Sequence, residues 1–236
     1  IGFFMNLEEF EVGFNIPAKI GMDISKIQTP SLIIDFKIFE NNIIKMREFV
    51  LNNNVKLRPH AKMHKSIDVA NYQIDNGGAH GICCQKVSEA EIFFRAGIKD
   101  ILITNQITDI FKLDRLAKIS SKEAKIGCCV DNSENLINIQ KAAERNNSLI
   151  DIYIEYDCGA NRCGIKSFYK INELIKMIKK MANLNFIGFQ AYNGSIQHIE
   201  DYKTRQNEVK KTCNKIKELK ANFKKYSPFI TGVGTG

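Results

Sequence analysis

The chain has 236 residues, of which 44% are hydrophobic and 25% charged, a composition that excludes low-complexity and fibrous chains. No apolar run reaches the ~20 residues that a membrane-spanning helix needs. The formal net charge is +8. No interleaving of basic and aromatic residues and no nucleic-acid motif accompanies this charge, so a nucleic-acid role is excluded and the lysines are interpreted as a solvated helix face.

Seven cysteines include two adjacent pairs, Cys83-Cys84 and Cys128-Cys129. Both pairs fall in strand-like segments, and none of the cysteines has zinc-site spacing. An odd number of cysteines in such segments indicates reduced, buried thiols and a cytoplasmic protein.

Along the chain, short β-branched runs alternate with longer segments of helical period. The predicted strands are residues 31–35, 56–61, 80–84, 101–104, 125–130, 150–156, 186–191 and 229–232. An amphipathic helix is predicted between the first two, from apolar residues at steps of three and four: Phe36, Phe39, Ile43, Met46 and Val50.

Helix boundaries are predicted from polar residues and glycines. Four polar residues precede helical patterns and are candidate N-caps: Ser66, Ser88, Asp109 and Asn132. Gly97 and the Gly77-Gly78 pair stand where helices should end. Regular alternation of strand and helix predicts a parallel sheet with helices outside it, and seven or eight such units in ~250 residues favour a (β/α)₈ TIM-type barrel. No GxGxxG follows an early strand, which disfavours an open dinucleotide-binding sheet.

The segment from Leu57 to Lys65 reads Leu-Arg-Pro-His-Ala-Lys-Met-His-Lys and places Lys62 between His60 and His64 at the end of a predicted strand. A lysine is normally a solvated cation and a poor nucleophile. Partial desolvation and nearby cations lower the pKa of a lysine and make a Schiff base with a carbonyl compound accessible. In a lysine-rich chain such a cluster also arises by chance.

Two later segments also place reactive side chains after predicted strands. Residues 155–164 carry Arg162 in a turn between glycines, where its planar guanidinium can bind a carboxylate or phenolate. The alternative for Arg162 is a salt bridge within the loop. Residues 190–198 carry Tyr192 and His198, and a single histidine is more often a surface or packing residue.

The glycine-rich residues 231–236 follow the last predicted strand. Glycines there let backbone N–H groups converge on a phosphate, as in barrels whose phosphate site follows the last strands. Gly234, Thr235 and Gly236 are the predicted phosphate-binding residues. A strand-end lysine, a phosphate cradle, an arginine and an aromatic ring together indicate pyridoxal phosphate.

Four motifs, in this order, resemble the fold-type III pyridoxal phosphate enzymes related to D-threonine aldolase and eukaryotic D-serine dehydratase. They are Arg-Pro-His-Ala-Lys-Met-His-Lys, Asp-Cys-Gly-Ala-Asn-Arg-Cys-Gly, Gln-Ala-Tyr-Asn-Gly-Ser-Ile-Gln-His and Gly-Val-Gly-Thr-Gly. The resemblance extends from about Glu11 to the last residue.

This resemblance implies a barrel of the alanine racemase N-terminal kind, with an extension at residues 1–27 and the cofactor-binding barrel at residues 28–236. It implies that the strand at residues 31–35 associates with a C-terminal domain. The strands of the barrel itself would then begin at the Lys62 strand, and the last of them would follow Gly236. The chain is therefore expected to be truncated before that strand and before a C-terminal β-domain.

The resemblance makes Lys62, and not Lys65, the Schiff-base lysine, and makes Arg162 and Tyr192 cofactor contacts. It makes His198 the base that acts on the substrate hydroxyl beside a divalent metal, Mg²⁺ or Mn²⁺. The metal ligands are expected in the C-terminal domain, and none is predicted in this chain. A homodimer is the family expectation.

The activity implied is aldol cleavage of a D-β-hydroxy amino acid. Three stretches, residues 11–17, 62–69 and 83–91, favour 3-hydroxy-D-aspartate as the substrate, with glycine and glyoxylate as products. Asn193 stands where D-threonine aldolases tend to have histidine, which disfavours D-threonine. The alternatives are D-threonine aldolase, a dehydratase of D-serine or 3-hydroxyaspartate, and a non-catalytic barrel that holds pyridoxal phosphate.

Overall fold

The computed structural model describes residues 18–27, 29–121 and 124–232. The chain divides into two units, Ile1–Lys45 and Met46–Gly236. The predicted boundary between residues 27 and 28 stays a prediction. None of the helices in the described ranges is long and apolar enough to cross a membrane.

The described part of the first unit contains a short 3₁₀ turn, Ile24–Lys26, and the beginning of helix α1 (Phe36–Asn52). The Asp35 carboxylate caps α1 by accepting a hydrogen bond from the Ile38 N–H at 3.0 Å. The predicted amphipathic helix is therefore confirmed, although Val50 is its one buried residue among those described.

The predicted strand at residues 31–35 is wrong, because this segment has no regular structure. A β-branched run becomes a strand when a neighbouring strand takes up its backbone hydrogen bonds. No strand in the described ranges pairs with this segment. The β-branched composition of residues 31–35 does not reveal whether such a neighbouring strand is present.

The second unit is built around a six-stranded parallel sheet whose strand order follows the chain. The strands are β1 (Ile82–Cys84), β2 (Asp100–Ile103), β3 (Lys125–Val130), β4 (Ile150–Glu155), β5 (Leu184–Gln190) and β6 (Phe229–Thr231). The helices are α2 (Ile67–Asp75), α3 (Val87–Arg95), α4 (Ile110–Ser120), α5 (Ser133–Arg145), α6 (Phe168–Ile178) and α7 (Tyr202–Asn222). Sequential parallel pairing with intervening helices confirms the predicted α/β fold of the barrel type.

The predicted strand at residues 56–61 forms only two parallel bridges, Leu57 to Ala79 and His60 to Cys83. Pro59 explains the interruption, since proline has no N–H to donate to the ladder. Its carbonyl oxygen still accepts a hydrogen bond from the Cys83 N–H at 2.7 Å. The segment thus extends the sheet beyond β1 without being a regular strand.

Three of the four predicted N-caps are confirmed. The Ser66, Asp109 and Asn132 side chains accept hydrogen bonds from backbone N–H groups of α2, α4 and α5. Ser88 is wrong as a cap because it lies inside α3. The first-turn carboxylate of Glu89 instead accepts a hydrogen bond from the Gln85 N–H at 2.8 Å.

The sheet is buried on both faces, as parallel sheets are. A large apolar core lies between sheet and helices, and a second small cluster of buried side chains contains Cys83, Leu102, Cys129 and Tyr153. The adjacent cysteine pairs are free and buried, as predicted, whereas Cys213 is exposed. Burial raises the pKa of the Cys83 and Cys128 thiols to about 12, so these thiols are packing residues.

Candidate active site at the carboxyl ends of the strands

The strands are parallel, so the residues that follow them meet at one edge of the sheet. We call this edge the strand-end rim. It comprises residues 60–65, 104–106, 131, 155–164 and 190–198. Every predicted reactive side chain in the described ranges lies on this rim.

Lys62 is exposed in a turn at residues 61–64. Its backbone N–H donates to the Nδ1 atom of His60 at 3.3 Å. The Nε2 atom of His60 lies 2.9 Å from the Thr104 hydroxyl oxygen. Because Nδ1 accepts, the proton of the neutral ring is on Nε2, which donates to Thr104. Burial first, and the Lys62 charge second, lower the pKa of His60 to about 4, so the ring is neutral at pH 7.

The second lysine of the motif, Lys65, is placed differently from Lys62. Lys65 Nζ lies 3.9 Å from a carboxylate oxygen of Glu89. Lys62 forms no ion pair with any residue in the described ranges. The side-chain amine of Lys62 is thus the less engaged of the two, which favours it as the nucleophile.

Arg162 and Tyr192 come from loops after β4 and β5, and the fold brings them together. The guanidinium carbon of Arg162 lies 6.0 Å from the centre of the Tyr192 ring, within cation–π range. The Tyr192 hydroxyl accepts a hydrogen bond from Gln197 at 3.1 Å. Arg162 forms no ion pair with a carboxylate in the described ranges. Its charge is therefore available to an anionic ligand.

A buried carboxylate, Glu155, lies on the same rim and was not predicted. It is 5% exposed and accepts a hydrogen bond from Gln106 at 2.5 Å. Burial raises the pKa of Glu155, and the Gln106 hydrogen bond and the Arg162 charge oppose that rise. The available signal in the sequence was an acidic residue at the carboxyl end of a predicted strand composed largely of apolar residues.

The loop that carries Arg162 is tied to the end of β3. The carboxylate of Asp131 accepts a hydrogen bond from the Gly164 N–H at 3.1 Å. Gly164 has a φ of +97°, and a Cβ atom there would lie 2.8 Å from the Asp157 nitrogen. Only glycine fits this position, which fixes where the loop turns back.

The predicted phosphate-binding residues Gly234, Thr235 and Gly236 lie outside the described residues. Gly232, two positions before Gly234, has a φ of +144°, and a Cβ atom there would lie 2.0 Å from the Ala191 carbonyl oxygen. The chain therefore approaches the end of β5 as closely as glycine allows.

Two further observations concern ligands. At the end of β5, the side-chain oxygen of Gln190 is buried and has no hydrogen-bond partner among the described residues. His198 is exposed at the end of the 3₁₀ turn Gly194–His198. In the described ranges, no group of three or more His, Cys, Asp or Glu side chains could hold a metal ion.

Similar proteins were found by both sequence and structure. The family model for the alanine racemase N-terminal domain matches residues 34–232. A 3-hydroxy-D-aspartate aldolase of Paracoccus denitrificans (strain Pd 1222) is 41% identical over 230 residues, which are 96% of this chain and 59% of that protein. A second 3-hydroxy-D-aspartate aldolase of Paracoccus denitrificans is 45% identical over 185 residues, 78% of this chain and 48% of that protein.

The crystal structure of D-threonine aldolase from Filomicrobium marinum superimposes with a TM-score of 0.89 and 34% identity, over 94% of this chain and 60% of that one. The chain thus spans 59% and 48% of the lengths of the two Paracoccus relatives. Because the family model matches most of the chain, and the sequential parallel sheet agrees with the superposition, the chain belongs to the alanine racemase N-terminal domain family.

Proposed function

We propose that this chain forms the cofactor-binding part of a pyridoxal phosphate-dependent aldolase that cleaves 3-hydroxy-D-aspartate to glycine and glyoxylate. The observation that carries the proposal is the exposed amine of Lys62, without an ion pair in the described ranges, on the same rim as the Arg162–Tyr192 pair. The two Paracoccus relatives bear the name of this activity.

The residues of the rim fit pyridoxal phosphate. Lys62 offers an amine for the aldehyde, and Arg162 offers a planar fork for a phenolate or carboxylate. The partnerless oxygen of Gln190 is a buried acceptor that a ligand could satisfy. Gly234, Thr235 and Gly236 are proposed to hold the phosphate. Bound pyridoxal phosphate supplies the electron sink for a bond broken at Cα.

The side chains of the rim then have distinct tasks. The neutral ring of His60 places no second positive charge beside the Lys62 amine. Arg162 and Tyr192 orient the bound group. His198 takes the proton of the β-hydroxyl as the Cα–Cβ bond breaks, so that glyoxylate leaves and protonation at Cα completes glycine.

A divalent metal, Mg²⁺ or Mn²⁺, belongs to the proposal for the whole protein, as do a homodimer and a cytoplasmic location. The described residues contain no group of side chains able to hold such an ion. In this proposal His198 acts beside that metal, and the metal ligands belong to the C-terminal domain.

The test uses the whole protein, saturated with pyridoxal phosphate and supplied with Mg²⁺ or Mn²⁺. It is incubated with 3-hydroxy-D-aspartate. Equal amounts of glycine and glyoxylate, absent from a Lys62→Ala variant, are the expected result. Oxaloacetate and ammonia would replace the proposal with a dehydratase. Cofactor binding without turnover would favour a non-catalytic barrel. Faster release of acetaldehyde from D-threonine would overturn the substrate assignment.

A further inference from the structure

We propose that His60 is a positioning residue for Lys62, because its ring fastens the backbone of Lys62 to Thr104 at the end of β2. This inference rests on the proposed function, in which Lys62 holds the cofactor. It assigns the first histidine of the motif a task that is separate from that of the lysine.

Hydrogen bonds run in one direction from the lysine turn into the sheet. The Lys62 N–H donates to His60 Nδ1 at 3.3 Å, and His60 Nε2 donates to the Thr104 hydroxyl at 2.9 Å. That hydroxyl donates in turn to the Cys84 carbonyl oxygen at 3.4 Å. Each group uses its donor on the next, so the ring has one tautomer and one orientation.

The backbone on both sides of His60 is also held. The Cys83 N–H donates to the Pro59 carbonyl oxygen at 2.7 Å, and the Ala61 N–H donates to the Cys83 carbonyl oxygen at 2.8 Å. His60 is therefore fixed to β1 through its backbone and to the end of β2 through its ring. A shift of the ring would move the peptide nitrogen of Lys62 with it.

The second histidine of the motif provides an internal comparison. The Nδ1 atom of His64 accepts a hydrogen bond from the Ser66 N–H at 3.1 Å, as His60 does from the residue two positions on. The Nε2 atom of His64, however, is buried without a partner in the described ranges. Of these two rings, the one of His60 alone links the lysine turn to the end of a second strand, β2.

Substitutions can cut this link at separate points. In His60→Asn the side-chain oxygen replaces the Nδ1 acceptor, but the side chain is too short to reach Thr104. His60→Gln can reach Thr104 but lacks the acceptor for the Lys62 N–H. Thr104→Val removes the hydroxyl and leaves the motif intact. As a control, Ser120→Ala removes a hydroxyl that donates to the Leu149 carbonyl oxygen at 2.6 Å, outside the rim.

The experiment measures the rate of pyridoxal phosphate capture by absorbance, then kcat and KM for cleavage. Borohydride reduction and peptide mass spectrometry identify the labelled lysine. We expect His60→Asn, His60→Gln and Thr104→Val to lower the capture rate and kcat roughly tenfold to a hundredfold, with KM changed by less than about twofold. The double variant His60→Asn/Thr104→Val should be no slower than His60→Asn, because both substitutions remove the same hydrogen bond, between residues 60 and 104. Ser120→Ala should retain the wild-type rates.

The two proposals fail in different ways. Wild-type protein labelled at a lysine other than Lys62 would overturn the proposed function. Labelling at Lys62 with unchanged rates in His60→Asn or Thr104→Val would overturn the role of His60 alone. Additive losses in the double variant, or equal losses in Ser120→Ala, would also overturn it, since a general loss of stability would then explain them.

Discussion

The two ends of the sheet use charged side chains in opposite ways. At the amino ends of the strands, the Arg58 guanidinium donates twice to the Asp100 carboxylate, at 2.9 and 2.6 Å. His80 and Lys125 lie 3.4 and 3.8 Å from the other oxygen of Asp100. At the carboxyl ends, Lys62 and Arg162 form no ion pair in the described ranges. The charges around Asp100 thus engage one another, whereas the carboxyl ends, which also pair Lys65 with Glu89 and Lys166 with Asp157, leave Lys62 and Arg162 available.

The carboxylates differ in the same sense. Asp100 is surrounded by cationic side chains, whereas the buried Glu155 has one amide hydrogen bond and a raised pKa. Removing one member of a charge network with little solvent exposure destabilises a fold because its partner is left uncompensated, while a charge without a partner can bind an external ligand. In a parallel barrel, stability and reactivity can therefore be separated along the strands. Variants at the two ends can test that separation.

The largest effect is expected from Lys62→Ala, which should abolish cofactor capture and all cofactor-dependent turnover because it removes the proposed Schiff-base amine. The visible absorbance of the bound cofactor and the yield of glyoxylate are the measurements. Lys65→Ala should keep both, since Lys65 lies against Glu89. Loss of both with Lys65→Ala, and not with Lys62→Ala, would assign the cofactor to the other lysine.

Arg162→Gln should lower kcat/KM roughly a hundredfold, the effect of losing one charged donor at a reacting group. The free energy of unfolding should change by less than about 0.5 kcal/mol, since the side chain is exposed. Steady-state kinetics and urea unfolding measure the two quantities. A loss of stability comparable to the loss of activity would break the separation between the two ends.

Asp100→Asn should show the opposite behaviour. It leaves Arg58 without its counter-charge and should lower the free energy of unfolding by about 2 to 3 kcal/mol. This is less than for a fully buried ion pair, because the side chains of Arg58 and Asp100 are 17% and 16% exposed. Activity of the folded fraction should be unchanged. Glu173→Gln, which removes the exposed ion pair with Lys176, is the control and should change stability by less than about 0.5 kcal/mol.

A final effect is expected in acid. The pKa of His60 is lowered from 6.5 to about 4 in the folded protein, so the unfolded chain binds this proton first as the pH falls. The contribution of the neutral His60 ring to the free energy of unfolding is fully present above about pH 6.5. It is lost as the pH falls from about 6.5 to about 4. Urea unfolding across this range should show a shallower loss for His60→Asn than for the wild type. Equal slopes would show that His60 does not contribute.

Much of the fold could be predicted because its signals are local. Alternating β-branched and helical periods identify a parallel βα sheet, and hydroxyl or carboxylate caps act within one helical turn. The failures were those in which local composition was insufficient. No strand in the described ranges pairs with residues 31–35, and Pro59 interrupts the bridges of its segment. Ser88 lies inside α3, whose N-cap residue is Lys86 and forms no side-chain cap hydrogen bond.

By itself, the sequence determined the residue types of the rim and the succession of strands and helices along the chain, since both depend on local patterns. The tertiary structure decided which of these residues meet. His60 reaches Thr104 across 44 positions, and Gln106 reaches Glu155 across 49. Arg162 meets Tyr192 because β4 and β5 are neighbouring strands whose carboxyl ends, Glu155 and Gln190, lie side by side. Such contacts depend on strand register and burial, which are properties of the assembled sheet.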